Sequence, residues 1–166
     1  MPIREVIEVP DPRLKNVASR WEGNAAETKA LAIDLFDTMR SFPGCVGLAA
    51  PQIGEPWRAV IVDVSGHKKA RSCHGLLILF NPEVIRADGA EVAREGCLSV
   101  PDFTANITRA TQIVVSALTL DGERVIEADA FEARAILHEI DHLDGKLFLD
   151  RVSSRQTDVF RRKTYQ

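Results

Sequence analysis

The sequence predicts an α+β fold in which antiparallel sheets pack around one central helix. Helical and strand-like patterns follow one another without the regular alternation that is typical of a parallel α/β protein. A helical segment near the C-terminal end combines an apolar stripe with two histidines four residues apart, His138 and His142. The chain of 166 residues is long enough to bury a substantial core, and we expect one catalytic domain over residues 1–166.

The N-terminal half is predicted to contain one helix and two strands. Residues 6–14 form an extended stretch that two prolines interrupt. From 25 to 40, apolar residues recur at the spacing of an amphipathic helix. Strands are expected over 58–64 and 76–80, and the polar residues 65–74 form the loop between them.

The next segment is predicted to be mostly β-structure. Short strands are expected over 83–85 and 90–93. Residues 111–120 are rich in β-branched side chains, Asp121-Gly122 is a favourable hairpin turn, and a return strand begins over 124–126.

The central helix is predicted over 130–144. Asp129 and Glu132 are positioned as a capping pair at its start, and Gly145 can end it in a left-handed conformation. A short strand over 146–150 and a polar terminal helix over 154–163 should follow.

Composition excludes some classes of partner. The net charge is -3, with 45% hydrophobic and 27% charged residues, so the chain has no general attraction to nucleic acid or to a membrane surface. Three cysteines at positions 45, 73 and 97 do not form a disulfide framework. The N-terminus lacks the pattern of a signal peptide, and no apolar run approaches membrane-spanning length, so we expect a cytoplasmic protein.

The segment His138-Glu139-Ile140-Asp141-His142 carries the clearest chemical signal. Residues four apart on a helix lie on one face, so both imidazoles can reach one metal ion. Glu139 lies about 100° further round, where its carboxylate can reach a water molecule instead. The alternative is a solvated helix with two incidental histidines. The apolar stripe Ile136, Ile140, Leu143 and Leu147 indicates a buried helix, and buried histidines need partners.

The identity of the third ligand separates the possible metal hydrolases. A long-spaced metalloprotease would need a third histidine where Phe148 stands. The remaining candidates are His67, His74 and Cys97. Cys97 is favoured because two imidazoles and one thiolate leave a fourth tetrahedral position for water. Cys73-His74 is more typical of a solvated loop than of a second metal site.

The small-residue loop 45–52 has two interpretations. Gly47, Ala49 and Ala50 would allow close approach of the backbone to another group, and Gln52 would supply a neutral hydrogen-bond donor. A tightly packed turn in the core would have the same composition.

Three segments together resemble the peptide deformylase family. Residues 45–52, 95–99 and 138–142 match its motifs G-x-G-L-A-A-x-Q, E-G-C-L-S and H-E-x-D-H. The flanking residues 10–14, 80–83 and 143–148 are similar to family sequence as well. The resemblance therefore covers nearly the whole chain.

The resemblance implies removal of the N-terminal formyl group from nascent formyl-methionyl peptides, with release of formate. The ribosome is one place where such peptides would be met. The implied ligands are Cys97, His138 and His142, with ferrous iron as the native metal and zinc, nickel or cobalt able to occupy the site. Glu139 would move the proton, while the Gln52 side chain and the Leu98 backbone N–H would stabilise the oxyanion.

The resemblance also implies a pocket for the first substrate side chain. Its expected lining residues are Val46, Gly47, Glu95, Phe131, Arg134 and Ala135.

Three positions depart from the family pattern. Cys45 replaces a usual glycine and is more typical of a small buried hydrophobic residue. Leu137 replaces a usual glutamine, which removes one hydrogen-bonding group near His138. Arg134 stands where an apolar residue usually lines the pocket.

Arg134 leaves two interpretations open. Its guanidinium could make the pocket attractive to an anionic group, which would give a related metalloamidase with a different N-formyl or N-acyl substrate. It could instead turn away and pair with Glu95 or Glu132. A catalytically silent metal-binding protein is a third hypothesis, but such a protein would not need Glu139.

Overall fold

The computed structural model describes residues 3–71 and 73–162, and it contains three α-helices and eight strands. The helices are α1 (Ala25–Arg40), α2 (Ala130–Leu143) and α3 (Arg155–Asp158). The strands are β1 (Gly47–Ala49), β2 (Ala59–Val62), β3 (Leu77–Asp88), β4 (Glu91–Cys97), β5 (Val100–Arg109), β6 (Gln112–Thr119), β7 (Gly122–Asp129) and β8 (Val159–Arg161). Short 3-10 helices occur at Pro12–Lys15, Ala50–Ile53 and Phe148–Arg151.

Two antiparallel sheets surround helix α2. Five strands pair in the order β1-β2-β3-β6-β7, and three pair in the order β4-β5-β8. Helix α2 packs on β1, β2, β6 and β7. The predicted α+β class with antiparallel sheets around a central helix is therefore confirmed.

Helix α2 is buried because apolar residues cover the side that faces the larger sheet. Ala133, Ile136, Ile140 and Leu143 pack with Val60, Val115 and Ile126 in one core cluster. Burial of each large aliphatic side chain contributes about 1.5–3 kcal/mol. The remaining faces are also covered, so the charged and histidine side chains of α2 lie inside the protein.

The two ends of α2 match the prediction differently. Gly145 has φ 72°, and a side chain there would collide with the carbonyl of Lys15, so the predicted stop is confirmed. Asp129 occupies the N-cap position without a capping side-chain bond. The predicted pair with Glu132 is wrong, because the Glu132 carboxylate accepts hydrogen bonds from the His74 backbone and ring instead.

Five predicted elements are confirmed: helix α1 and strands β2, β4, β6 and β7. Strand β7 is longer than expected and begins at Gly122, so the turn occupies residues 120–121 rather than the predicted Asp121-Gly122. The prediction of separate strands over 76–80 and 83–85 is wrong, because both segments belong to one strand, β3. The register of β3 shifts between Phe80 and Glu83, so Pro82 falls at an irregularity. Asn81 has φ 51° there and bonds to the Trp21 backbone.

The last predictions on the chain fail because tertiary pairing overrides local preference. Residues 146–150 do not form a strand, since Phe148–Arg151 is a 3-10 helix. The terminal helix ends after one turn at Asp158, and β8 then pairs with β5. Position 163, the end of that predicted helix, lies outside the described residues.

No helix within residues 3–71 and 73–162 combines the length and apolar character required to cross a lipid bilayer.

Candidate metal centre

Three donor side chains converge at the C-terminal end of β4 and the C-terminal half of α2. One ligand atom each from Cys97, His138 and His142 lies within 4.8 Å of the other two. The Cys97 Sγ is 3.4 Å from the His142 Nε2. Donors bound to one tetrahedral ion at ordinary metal–sulfur and metal–nitrogen lengths lie about 3.6 Å apart. The spacing and the soft donor set therefore fit a divalent transition metal.

The two other histidines that the sequence left as candidates are not part of this donor group, although His67 lines the cavity beside it. His67 stacks on Phe131 with its ring centroid at 4.0 Å, and His74 binds Glu132. Neither joins the donor group among the described residues. The expectation that His74 is solvated is wrong, because its backbone N–H and its ring are bonded to the buried Glu132 carboxylate.

Glu95 fixes the orientation of His138. The Glu95 Oε1 is 2.8 Å from the His138 Nδ1. A carboxylate only accepts hydrogen bonds, so Nδ1 carries the proton and Nε2 is left to bind a metal. Burial alone would raise the pKa of Glu95. Hydrogen bonds from Arg109 and His138 outweigh burial and hold this pKa well below its ordinary value.

The charge of Glu95 belongs to a longer buried network. Arg109 donates to both oxygens of Glu95 at 2.8 and 2.9 Å, and its third nitrogen donates to Asp141 at 2.6 Å. Arg151 donates to the other Asp141 oxygen at 2.8 Å. Sequence reasoning gave no role to Arg109, Asp141 or Arg151. A signal did exist, because Arg109 shares the alternating inward face of β5 with Ala105 and Ile107.

Glu139 is the second buried carboxylate of the centre, and its environment is different. Its Oε1 has no hydrogen-bond partner among the described residues. Burial raises the pKa of Glu139 to about 7. Its other oxygen lies over Gly47, where an added Cβ would stand 2.7 Å away. Glycine at position 47 therefore leaves room for this carboxylate.

The 45–52 loop combines the packing and the polar role that sequence left open. Residues Ala49–Ile53 are buried, which is the tightly packed arrangement. The Gln52 Oε1 accepts a hydrogen bond from the Ala49 backbone at 2.9 Å. Its Nε2 donates to Ser99 Oγ at 3.0 Å and lies 3.4 Å from Cys97 Sγ. The amide is thus held with its donor nitrogen beside the Cys97 sulfur.

Cys45 and Leu137 both contribute to packing. The Cys45 Sγ is 3.2 Å from the Gly47 carbonyl oxygen, and burial raises the pKa of this thiol to about 11. Cys45 is therefore a neutral, partly buried group, as the sequence suggested. Leu137 packs against the main core. Separately, the His142 Nδ1 has no hydrogen-bond partner within the described part of the chain.

A cavity of about 370 Å³ opens beside the donor group. It is lined by all the residues expected around a substrate: Val46, Gly47, Gln52, Glu95, Leu98, Phe131, Arg134, Ala135 and Glu139. Leu98 lies in the turn between β4 and β5, next to Cys97. The predicted residues are therefore brought together at one site.

Arg134 is buried and directs its guanidinium to acceptors of the protein itself. It donates to Glu95 at 2.7 Å and to the carbonyls of Ile107 and Glu91 at 2.9 and 2.6 Å. Its positive charge is thus neutralised by Glu95. The interpretation in which a free guanidinium attracts an anionic substrate is not supported, and the Glu95 pairing that sequence left open is present.

An α+β fold that places one thiolate and two imidazoles beside an unpaired buried carboxylate defines a metal-dependent hydrolase. The profile of the family described as polypeptide deformylase matches residues 3–158. A peptide deformylase from Thermomicrobium roseum is 42% identical over 159 residues, covering 95% of this chain and 90% of the relative. This chain belongs to the polypeptide deformylase family.

Solved structures agree with this assignment. A peptide deformylase from Legionella pneumophila superposes with a TM-score of 0.82 at 38% identity, covering 91% of this chain and 86% of the other. A Met-ala-ser bound class I type b peptide deformylase from Acinetobacter baumannii gives a TM-score of 0.81 at 30% identity, covering 90% and 98%.

Proposed function

We propose that this chain, as one catalytic domain over residues 1–166, removes the formyl group from N-formylated nascent polypeptides by using Glu139 as its proton-transfer group. The observation that carries this proposal is the unpaired, buried Glu139 carboxylate next to the Cys97, His138 and His142 donor group. A site that only needed a structural metal would have no use for such a carboxylate. Family membership supports the same reaction, in which water cleaves the formyl amide and formate is released.

Each step of the reaction can be assigned to a group of this chain. A divalent metal held by Cys97, His138 and His142 would supply Lewis-acid activation of a water molecule and of the formyl oxygen. Glu139 accepts the proton of the attacking water and then donates it to the leaving amine. A pKa of about 7 suits both directions of transfer near neutral pH.

The developing oxyanion needs hydrogen-bond donors that are already in place. The Gln52 Nε2 and the backbone N–H of Leu98 are the proposed donors, because both residues border the cavity next to Cys97. The bonds that Gln52 makes to Ala49 and Ser99 hold its amide rigid, so little reorganisation is required when charge develops. Glu95 acts one step further away by orienting His138.

We propose ferrous iron as the native metal, with zinc, nickel and cobalt able to occupy the same donors. One thiolate and two imidazoles suit any of these ions, so availability in the cell would decide between them. Formyl-methionyl peptides are the proposed substrates. The apolar Val46, Phe131 and Ala135 line the cavity, and the charge of Arg134 is already paired. The proposed place of action is the cytoplasm, where chains emerge from ribosomes.

The assignment can be tested by combining metal analysis with formate release. Wild type, Cys97→Ala and a Cys73→Ala control should be purified without air and analysed for bound metal. Wild type and the control should hold one ion per chain and release formate from formyl-Met-Ala-Ser, whereas Cys97→Ala should lose most metal and activity. Full metal occupancy in Cys97→Ala would contradict the ligand set. Failure of metal-loaded wild type to release formate would contradict the function.

A further inference from the structure

The rim of the active-site cavity carries an excess of positive charge that the reaction above does not use. Lys69, Arg94 and Arg162 all line this cavity, and all three residues are exposed. They come from three separate parts of the chain: the β2–β3 loop, β4, and the residue after β8. None of them forms an ion pair with a carboxylate among the described residues.

The Arg94 guanidinium is held in place without being neutralised. It lies 3.7 Å from the centre of the Phe160 ring. Its nitrogens donate to the Asn106 Oδ1 at 3.1 Å and to the Thr104 Oγ1 at 3.3 Å. These partners are neutral, so the side chain is oriented while its full charge remains available to a ligand.

The Arg162 guanidinium lies against the strand that carries a metal ligand. A side chain at Gly96 would collide with it, and Gly96 is the residue before Cys97. The Arg162 backbone is fixed by a 2.7 Å hydrogen bond to the Asp102 carbonyl. The Arg162 cation is therefore positioned against the residue that immediately precedes Cys97.

An adjoining groove continues the same charge away from the metal centre. It shares Lys69, Arg94, Phe131 and Arg134 with the active-site cavity, and Lys68 and Arg71 also line it. Its acidic lining residues are Glu91 and Asp129. The acidic residues that line the active-site cavity are Glu95, which is paired, and Glu139, which is buried. The exposed rim is thus cationic, although the whole chain has a net charge of -3.

From this arrangement we infer that the enzyme prefers formylated peptides with carboxylate side chains at the positions that follow the first residue. The inference rests on the proposed function, because the formyl group must lie at the donor group for the following residues to cross the rim. An extended peptide advances about 3.3 Å per residue, so the second to fourth side chains pass within reach of long cationic side chains. Arg134 takes no part, since its charge is already paired.

A peptide carboxylate explains the position of these cations better than a nucleic-acid phosphate does. The cations line the cavity into which the peptide must enter, so they lie where the side chains of a bound peptide would pass. Phosphate binding would favour a broad basic face, which the composition does not provide.

The test compares three C-terminally amidated peptides, formyl-Met-Glu-Glu-Ala, formyl-Met-Gln-Gln-Ala and formyl-Met-Lys-Lys-Ala, with metal-loaded enzyme. Amidation removes the terminal carboxylate, so only side chains can account for a difference. The Glu peptide should have a kcat/KM about three- to tenfold above the Gln peptide, with the Lys peptide lowest. The difference should lie in KM and should shrink in about 0.5 M salt.

A matched pair of variants locates the effect. Replacing Lys69, Arg94 and Arg162 together with glutamine should bring the Glu-to-Gln ratio close to one. Replacing Lys29, Arg20 and Arg124 with glutamine removes the same charge from exposed residues that line neither cavity and should leave the ratio unchanged. Two results would overturn the inference while the deformylase function stands. One is a Glu-to-Gln ratio of kcat/KM close to one for wild type, and the other is an equal fall of that ratio in both variants. No turnover of any formylated peptide would overturn the function itself. Inhibition of Glu-peptide turnover by a short RNA at micromolar concentration would assign the rim to phosphate instead.

Discussion

Glu95 and Glu139 are both buried carboxylates in one metal centre, yet their surroundings are opposite. Glu95 accepts hydrogen bonds from Arg109, Arg134 and His138, and those from Arg109 and His138 lower its pKa although burial opposes them. Glu139 has an oxygen without a partner among the described residues, and burial raises its pKa to about 7. Burial alone therefore does not make a carboxylate suitable for proton transfer. The unsatisfied one can exchange a proton, and the saturated one holds a neighbouring side chain in position.

The largest effect on stability is expected from Glu95→Gln. This change leaves Arg109 and Arg134 buried without their shared anion, and loss of one partner from a buried ion pair costs about 3–5 kcal/mol. Metal affinity should also fall by about ten- to a hundredfold, because the carboxylate that orients His138 and raises the basicity of its ring becomes a neutral amide. Urea unfolding and metal titration measure the two effects. A variant as stable as wild type would mean that the network around Glu95 is not a stabilising one.

Glu139→Gln should reduce activity and leave stability and metal binding intact. It should retain metal and folded structure but lose formate release by at least about a hundredfold, because removal of a general base has that scale. Single-turnover assays on metal-loaded protein measure this loss, with Glu132→Gln as a control for removal of a buried α2 carboxylate outside the cavity. Near-normal turnover of Glu139→Gln with intact metal would assign proton transfer to another group.

Stability of the metal-free protein against pH distinguishes the two carboxylates independently of activity. The pKa of Glu139 is higher in the folded protein, about 7, than its ordinary value of 4.5. The folded state therefore binds the proton more tightly, and wild type should lose stability as pH rises from about 4.5 to 7. The loss should be about 3 kcal/mol at most, since each tenfold change in acidity is worth about 1.4 kcal/mol.

Glu139→Gln cannot lose that proton, so the unfolding free energy of the metal-free variant should lack this decline. Glu95 has the opposite sign: its pKa is lowered on folding, so its contribution is present above pH 4.5 and is lost as pH falls below that value. Urea midpoints from pH 4 to 8 measure the Glu139 effect, and midpoints below pH 4.5 measure the Glu95 effect. Parallel curves for wild type and Glu139→Gln would show that this carboxyl does not titrate in the expected range.

The smallest effect is expected from Arg134→Met. Glu95 keeps its two bonds to Arg109, while the carbonyls of Ile107 and Glu91 lose a donor, so we expect a cost of about 1–3 kcal/mol in unfolding free energy. The order of formyl-Met, formyl-Ala and formyl-Glu peptides should not change. A strong gain for formyl-Met together with a loss for formyl-Glu would place the guanidinium in contact with the substrate.

The sequence was sufficient for features that depend on local spacing. His138, Glu139 and His142 are related by one helical turn, and the limits of α1 and α2 follow from apolar periodicity with caps or stop residues. The placement of Cys97 beside the two histidines could be predicted because the chain offers few soft ligands. The central site was therefore within reach of the sequence.

Features that depend on distant pairing were missed. Strand β5 contains Pro101, Asp102 and Asn106, which weaken any local strand signal, and its pairing with β4 and β8 compensates. Arg109 bonds to Glu95, which is 14 positions away, and to Asp141, which is 32 positions away. No spacing rule predicts such contacts. Glu132 resembled a capping residue because it lies three residues after Asp129. Its actual partner, His74, is 58 positions away and gives no local signal.

The missing side chain at Gly47 limits how this gene can vary. The Glu139 carboxylate occupies space that any Cβ at position 47 would enter, at 2.7 Å from the nearest oxygen. Every single-nucleotide change in a glycine codon that alters the amino acid introduces a side chain or a stop codon. Any replacement at position 47 would therefore displace the carboxylate of Glu139, so a change at this glycine acts on the proposed proton-transfer group even though the glycine itself has no functional side chain.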